Sequence, residues 1–258
     1  MSPSIGGYES DRKGLFMKIS RCFRSLSKFE WCLWLSSAVV VTASFLFSPS
    51  ADALTLLASL IGVTALIFVA KGYVVGQILT VVFALVYGVI SFCFRYYGEM
   101  ITYLGMTSPI AVLTVISWMK HPFQKTAEVE VNRLTKRQLA AMGLLTITVT
   151  GVFYFVLKAL GNANLLFSTV SVATSFVASC LTFYRSDYYA VGYAANDVVL
   201  IILWVLASAE DSAYLPMVVC FCVFFINDLY GFVNWRRMKA RQQRDAGSRK
   251  APAENPGQ

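Results

Sequence analysis

Two Asn-Asp pairs stand inside long apolar segments of this chain. Asn196-Asp197 lies in YAANDVVLIILW, and Asn227-Asp228 lies in FFINDLYGFVNW. A polar group in a hydrocarbon layer is costly unless it has a hydrogen-bond partner or a function. Amide side chains both donate and accept hydrogen bonds, and the neighbouring aromatic rings offer flat apolar faces. The combination predicts a site for a small polar molecule inside a membrane.

The polar side chains of each segment share one side of a helix, at about 100° per residue. Their spacing places them on neighbouring stripes, so that each helix presents one polar, aromatic face. The first half of the chain has fewer such groups. The candidate binding residues are Gln77, Trp118, Tyr193, Asn196, Asp197, Trp204, Asn227, Asp228, Tyr230 and Asn234.

Structural roles compete with binding at several of these positions. Asn and Gln commonly bridge membrane helices, in contacts of about 0.6 kcal/mol on average. Trp118 ends an apolar segment, where anchoring at the membrane surface is usual, and Trp204 suits an outer gate or belt. Asp197 and Asp228 are ligands, a proton site, or neutral hydrogen-bonded groups. Close helix packing is expected for Ser168, Ser171 and Ser175. Tyr96 and Tyr97, which stand beside Gly98 and Glu99, are expected at the membrane interface.

Long apolar segments set the fold class. The chain is 57% hydrophobic and 14% charged, with a mean hydropathy of +0.61, which excludes an ordinary soluble domain. A helix of about 20 apolar residues crosses a membrane. The sequence therefore predicts an all-α integral membrane protein with about eight spans, at 31–47, 51–70, 73–94, 100–119, 138–160, 164–184, 188–208 and 213–235.

Positive charge is sorted to alternate connections between these segments. Twenty of the 22 Lys and Arg residues lie in the N-terminal tail, the C-terminal tail and the connections at 71–72, 120–137 and 185–187. The other side has only Arg95 and Lys158. The positive-inside rule predicts a multi-pass membrane protein with both termini in the cytoplasm. The net charge of +8 therefore indicates contact with lipid headgroups and no binding of nucleic acid.

The chain repeats itself at an offset of about 116 residues. Leu54–Gly72 aligns with Val170–Tyr188 without a gap, and spans 2–4 correspond to spans 6–8. One connecting span makes the halves parallel, so we expect a 3+1+3 arrangement like that of SWEET transporters, with span 1 added. The predicted units are a basic tail 1–30, an additional helix 31–50, a first repeat 51–120, a loop and linker helix 121–163, a second repeat 164–238 and a disordered tail 239–258.

Sequence motifs of enzymes and metal sites are missing. The single histidine, His121, lies in a predicted loop, and no HExxH, GxSxG or phosphate-binding glycine loop occurs within a span. The six cysteines form no CxxC. The chain is therefore expected to be no enzyme and to need no cofactor. An intramembrane enzyme, a channel and a structural helper remain as alternatives.

Four segments together resemble the PnuC family of bacterial vitamin transporters. They are KGYVVGQILTVVFALVYG, GEMITYLGMTSPIAVLTVISWMKHP, YAANDVVLIILW and NDLYGFVNW, and the likeness covers about residues 51–238. The resemblance implies uptake of nicotinamide riboside by facilitated diffusion, with trapping through phosphorylation by a cytoplasmic riboside kinase. It assigns ligand contacts to the Asn, Gln, Trp and Tyr side chains among the candidates above: Gln77, Asn196, Asn227, Tyr230 and Trp204, and also Trp118, Tyr193 and Asn234.

The chemistry of the candidates suits such a substrate, whose pyridinium is a flat cation. Aromatic faces hold a cation with about 0.5–2 kcal/mol each. An inside-negative potential of 100 mV favours entry of one positive charge by about 2.3 kcal/mol. Thiamine is also a flat cation and stays open as an alternative substrate. Riboflavin is neutral and larger, so it fits this chemistry less well. The expected partners are the vitamin and membrane lipid, and span 1 leaves open a contact in a homo-oligomer.

Overall fold

The computed structural model describes residues 22–48, 52–93, 97–124, 126–162 and 164–250. Within these ranges no strand is present, and eight helices are long and apolar enough to cross a membrane. This confirms the predicted all-α membrane fold. The helices are α1 (Lys28–Leu46), α2 (Ala53–Ala70), α3 (Val74–Cys93), α4 (Tyr97–Lys120), α5 (Lys136–Ala159), α6 (Leu165–Phe183), α7 (Tyr189–Glu210) and α8 (Leu215–Lys250).

Side-chain caps explain where several helices begin. Ser27 and Glu30 form a capping box at α1, and Thr135 and Gln138 form another at α5. The Asp52 carboxylate accepts a hydrogen bond from the Thr55 amide at the start of α2. Each cap satisfies backbone N–H groups that a helix leaves unpaired in its first turn.

Helix α4 is not a regular helix throughout. Thr102–Thr107 forms a π-helical turn directly before Ser108-Pro109. Proline has no N–H to donate to the preceding turn, which accounts for a local change of hydrogen-bond register here. The sequence predicted one uniform span at 100–119, and the inserted turn changes which side chains of α4 face α3 and α6.

The helices pack as two groups of three that exchange contacts. Helix α3 contacts α2 and α4, and helix α7 contacts α6 and α8. Between the groups, α8 packs on α2 and α4 packs on α6. Helix α5 packs on α6, and α1 packs on α2 and α8. The two groups therefore contact each other through α2 and α8 and through α4 and α6.

A pair of hydrogen bonds joins the end of α4 to the end of α6. The Trp118 Nε1 donates to the Thr182 carbonyl at 3.0 Å, and the Ser117 hydroxyl donates to the Phe183 carbonyl at 3.1 Å. The last carbonyls of a helix have no partner within the helix. The Phe183 carbonyl thus gains a partner from the first group, and the Thr182 carbonyl, which also accepts from the Arg185 amide at 2.9 Å, gains a second hydrogen bond.

The reciprocal pair joins the end of the apolar part of α8 to the end of α2. The Trp235 Nε1 donates to the Val69 carbonyl at 2.9 Å, and the Asn234 amide donates to the Ala70 carbonyl at 2.8 Å. The indoles of Trp118 and Trp235 are fully buried and contact each other, with ring centroids 5.5 Å apart. We call these four hydrogen bonds and the tryptophan pair the seam.

The seam corrects the register of the sequence repeat. It matches Val69 with Thr182, an offset of 113 residues, whereas the gap-free alignment of Leu54–Gly72 used 116. Gly72 and Arg185, also 113 residues apart, each follow their helix with positive φ, at 69° and 57°. The alignment is therefore out of register by three residues at this end. The α6–α7 connection, 184–188, has five residues against three in its counterpart, 71–73, which accounts for two of the three.

Residues 128–132 cross the same end of the molecule, and we call them the strap. The Val129 amide donates to the Gly72 carbonyl at 2.9 Å, and the Asn132 amide donates to the Arg185 carbonyl at 3.0 Å. The strap thus bonds to the turn that follows α2 and to the turn that follows α6. We call the end of the molecule that carries the strap the basic end. The opposite end carries the α5–α6 and α7–α8 connections, and we call it the far end.

Helix α8 continues well past the seam, and its C-terminal part packs against the strap. The buried Gln242 amide accepts a hydrogen bond from the Val131 amide at 2.9 Å and donates one to the Val129 carbonyl at 3.0 Å. The prediction of a disordered tail from Lys239 onward is wrong for 239–250, which are helical, because these contacts order the helix. Residues 251–258 lie outside the described residues.

Ion pairs add to this attachment. Asp187, in the α6–α7 connection, pairs with Arg236 at 2.9 Å and with Lys239 at 2.7 Å. Burial by itself would raise the pKa of Asp187, but the hydrogen bonds from Lys239 and Arg236 outweigh it and lower the pKa below the usual 3.8. A carboxylate with a lowered pKa contributes stability that is present at neutral pH and lost only as the pH falls through that lowered value.

Replacing Gln242 tests this attachment. Gln242→Ala removes both partners of the strap backbone, and an unpaired buried group costs about 1–3 kcal/mol. We expect amide hydrogen exchange at 128–132 to accelerate about tenfold or more. Gln243→Ala is the matched control, since Gln243 is exposed. Equal exchange of the strap in the two variants would contradict the attachment.

Candidate functional site

A cavity of about 260 Å³ lies between the two helix groups, in the half of the molecule near the far end. It reaches from the exposed Asn164 and Glu210 at its rim to Asn196 in the middle of α7. Helices α3 to α8 all contribute to its wall. The strap and the seam lie at the other end, so the cavity opens at the far end.

A second cavity of about 240 Å³ adjoins the first, between α1, α2, α3 and the start of α8. Four side chains line both cavities and form the partition between them: Tyr87, Glu99, Trp204 and Tyr214. A molecule bound at the partition contacts aromatic rings and a carboxylate together.

The aromatic rings at the partition are packed against one another. The ring centroids of Tyr87 and Tyr103 lie 4.6 Å apart, and those of Trp204 and Tyr214 lie 5.5 Å apart. Ring faces carry partial negative charge and attract cations. Tyr103 lies in the π-helical turn of α4, which is how the first helix group places it in the cavity wall.

Trp204 is 6% exposed, and its indole N–H has no hydrogen-bond acceptor among the described residues. A buried polar group without a partner costs free energy. Trp118 and Trp235, by contrast, both donate to backbone carbonyls. Of these three tryptophans, Trp204 is the one whose indole N–H has no acceptor among the described residues, and its side chain lies in the cavity wall, where a ligand would be held.

Glu99 places a carboxylate in the partition. The Tyr87 hydroxyl donates to it at 3.0 Å, and the buried Ser91 hydroxyl donates to it as well. The sequence predicted an interface position for Tyr97, beside Glu99, and gave Glu99 itself no role. Tyr97 is exposed as expected, whereas α4 turns the Glu99 side chain toward α3. Tyr96 lies outside the described residues.

The walls of the two cavities are acidic. Asp52, Glu210 and Asp211 join Glu99 in the lining, and no Lys or Arg contributes among the residues described. Carboxylates in a cleft with apolar walls raise the local concentration of cations. The site therefore favours a positively charged molecule over a phosphorylated one.

Asn196 forms the inner wall of the first cavity. Its amide oxygen accepts hydrogen bonds from Thr174 at 2.8 Å and from Ser171 at 3.3 Å, which fixes the orientation of the amide. Ser168, Ser171 and Ser175 also line the cavity. Their helical spacing predicted a packing face, whereas the structure turns this face toward the space between the helix groups.

Two other predicted site residues of α8 face α1. The Asn227 amide donates to the Ser37 hydroxyl at 2.9 Å and to the Val223 carbonyl at 2.8 Å. The Tyr230 hydroxyl donates to the Glu30 carboxylate at 2.6 Å, which Lys71 also contacts at 3.0 Å. Neither residue lines the cavities, and both connect the additional helix to the rest of the protein.

The remaining predicted residues also lie away from the cavities. Gln77 is buried in the first turn of α3, and the Tyr193 hydroxyl lies 3.4 Å from that of Ser179. The buried carboxyl groups of Asp197 and Asp228 interact directly with each other. Trp118 and Asn234 belong to the seam. Of the ten predicted residues, the structure brings Asn196 and Trp204 together in the cavity.

Comparison with known proteins gives a consistent result. A family model described as nicotinamide mononucleotide transporter matches residues 52–237. The nicotinamide riboside transporter PnuC of Neisseria mucosa is 27% identical over 226 residues, covering 85% of each chain. The PnuC of Haemophilus influenzae is 21% identical over 211 residues, covering 81% of this chain and 90% of the relative.

A solved structure shares the fold. The crystal structure of the vitamin B3 transporter PnuC superposes with a TM-score of 0.72 at 26% identity, covering 84% of this chain and 94% of the other. These similar proteins are transporters and not enzymes, as the sequence predicted. The match over most of the chain, together with the shared helical architecture, shows that this protein belongs to the nicotinamide mononucleotide transporter family, and it confirms the resemblance to PnuC.

Proposed function

We propose that this protein takes up nicotinamide riboside across the bacterial plasma membrane by facilitated diffusion. The observation that carries the proposal is the partition of aromatic rings and a carboxylate between two cavities at the far end. Trp204, Tyr87 and Tyr103 supply ring faces for the pyridinium, and Asn196 supplies an amide for its polar groups. The curated relatives carry the name of the same substrate.

The acidic lining favours the riboside over the mononucleotide in the name of the family. A phosphate group needs cationic or N–H donors, and Arg and Lys are the usual ones. The described lining offers four carboxylates and neither of these residues. The phosphate of the mononucleotide would therefore meet like charge, whereas the pyridinium of the riboside would meet opposite charge.

The proposed orientation places the basic end and both termini in the cytoplasm. The far-end cavities then face outward, and the seam and strap close the inward path. The membrane potential favours entry of the cation by about 2.3 kcal/mol per 100 mV, so no coupling ion is required. Phosphorylation by a cytoplasmic riboside kinase would add negative charge and trap the product inside. We also propose that the two helix groups form a parallel 3+1+3 repeat and that the protein assembles as a homo-oligomer.

Binding and transport measurements test the substrate. In calorimetry the purified protein should bind nicotinamide riboside more tightly than thiamine, and riboflavin and nicotinamide mononucleotide should bind weakly. In sealed vesicles, labelled riboside should equilibrate saturably and without an ion gradient. Tighter binding of thiamine than of nicotinamide riboside would identify thiamine as the substrate. Accumulation above the equilibrium level, with no kinase present and no potential applied, would exclude facilitated diffusion.

Trp204→Phe tests whether the unpartnered indole N–H serves the ligand. The change keeps an aromatic ring but removes the donor, and one hydrogen bond contributes about 0.5–1.5 kcal/mol. We expect riboside affinity to fall about three- to tenfold with little change in melting temperature, measured by calorimetry and thermal unfolding.

Trp118→Phe is the matched control for this substitution. Its indole donates to the Thr182 carbonyl in the seam, so the variant should lose melting temperature while keeping riboside affinity. The two tryptophans thus separate a structural donor from a ligand donor. Unchanged affinity in Trp204→Phe would remove Trp204 from the proposed site.

A further inference from the structure

We infer that Glu99 is the residue that selects for the positive charge of the substrate. This role rests on the proposed function and adds to it the group that recognises the positive charge of the substrate. Its carboxylate would stand opposite the pyridinium in the partition between the two cavities. The carboxylate and the surrounding rings would then act together on one cation.

The position of Glu99 supports this role. It lines both cavities, as do Tyr87, Trp204 and Tyr214, so a ring bound at the partition lies beside the carboxylate whichever cavity it enters from. An anion paired with aromatic faces binds a flat cation more strongly than it binds a neutral molecule of the same shape.

The hydrogen bonds of Glu99 hold it in place and leave capacity for a ligand. Tyr87 and Ser91 donate to it from α3, which fixes the side chain between two helices. A carboxylate accepts about four hydrogen bonds, so two hydroxyl donors do not saturate it. Neither donor is charged, and no ion pair to Glu99 occurs among the described residues. A cationic ligand would supply the missing opposite charge.

The other carboxylates of the lining have different surroundings. Asp52 accepts hydrogen bonds from the amide and hydroxyl of Thr55 as the cap of α2, and Asp211 accepts one from the amide of Ala213. Glu210 is exposed at the rim, where solvent screens its charge. These three attract cations toward the mouth, whereas Glu99 meets the ligand at the partition.

A comparison of charged and neutral forms of one substrate separates charge selection from simple packing. The reduced dihydro form of nicotinamide riboside is neutral and nearly the same in shape. Glu99→Gln removes the charge but keeps an oxygen that accepts from Tyr87 and Ser91. The pyridinium nitrogen carries no hydrogen to donate, so Glu99 acts on it through charge attraction, which is stronger between apolar walls than in water. We therefore expect calorimetry to show about a 10- to 100-fold loss of affinity for the cationic riboside. Affinity for the neutral form should stay within about twofold.

Controls make each outcome decisive. Glu130→Gln carries the same substitution on an exposed residue at the basic end and should bind both forms like the wild type. Retained binding of the neutral form shows that Glu99→Gln is folded. Equal losses for both forms, or no loss for the cation, would overturn charge selection by Glu99 alone. A wild type that binds neither form would overturn the proposed function, and this inference with it.

Discussion

The need to satisfy polar groups inside a hydrocarbon layer governs this structure, and the seam is where that need joins the two helix groups. The last carbonyls of α2 and α6 have no partner within their own helices. Side chains from the opposite group donate to them, and the carbonyls of Val69 and Thr182 also accept from the amides of Gly72 and Arg185 in the following turns. Trp118 and Trp235 do this while packing against each other, so the same residues connect the groups and close the path between them. The two cavities that share Glu99 and Trp204 in their walls lie on the other side of the seam, at the far end.

The same constraint separates the candidate binding residues from those that connect helices. The amide nitrogen of Asn227 and the hydroxyl of Tyr230 donate to partners on α1, although the Asn227 amide oxygen has no hydrogen-bond partner among the described residues. The indole of Trp204 has no such partner among the described residues. The first helix group also contributes more to the site than its sequence indicates, because Tyr87, Glu99 and Tyr103 all come from α3 and α4. The aromatic and acidic partition is thus built by both groups.

The eight spans could be predicted because hydropathy over about 20 residues reports burial in lipid directly. The site could be predicted only in part. Helical periodicity shows that Asn227 and Tyr230 share a face, but it does not show which neighbour that face meets, and here the neighbour is α1. Glu99 escaped notice because the sequence placed it outside its span, whereas α4 begins earlier and carries a π-helical turn. The repeat register failed at the α6–α7 connection, where added residues leave no hydropathy signal.

In the proposed cycle the substrate leaves at the basic end, so the seam must open. Each of its four hydrogen bonds contributes about 0.5–1.5 kcal/mol net, and their sum is a few kcal/mol. A gap of this size separates two conformations of which the minor one is populated at about 0.1–10%. The strap bonds to the turns after α2 and after α6, so it moves with both groups and sets part of the same gap. Closure strong enough to stop a leak and weak enough to open without an energy source is what facilitated diffusion requires of this end.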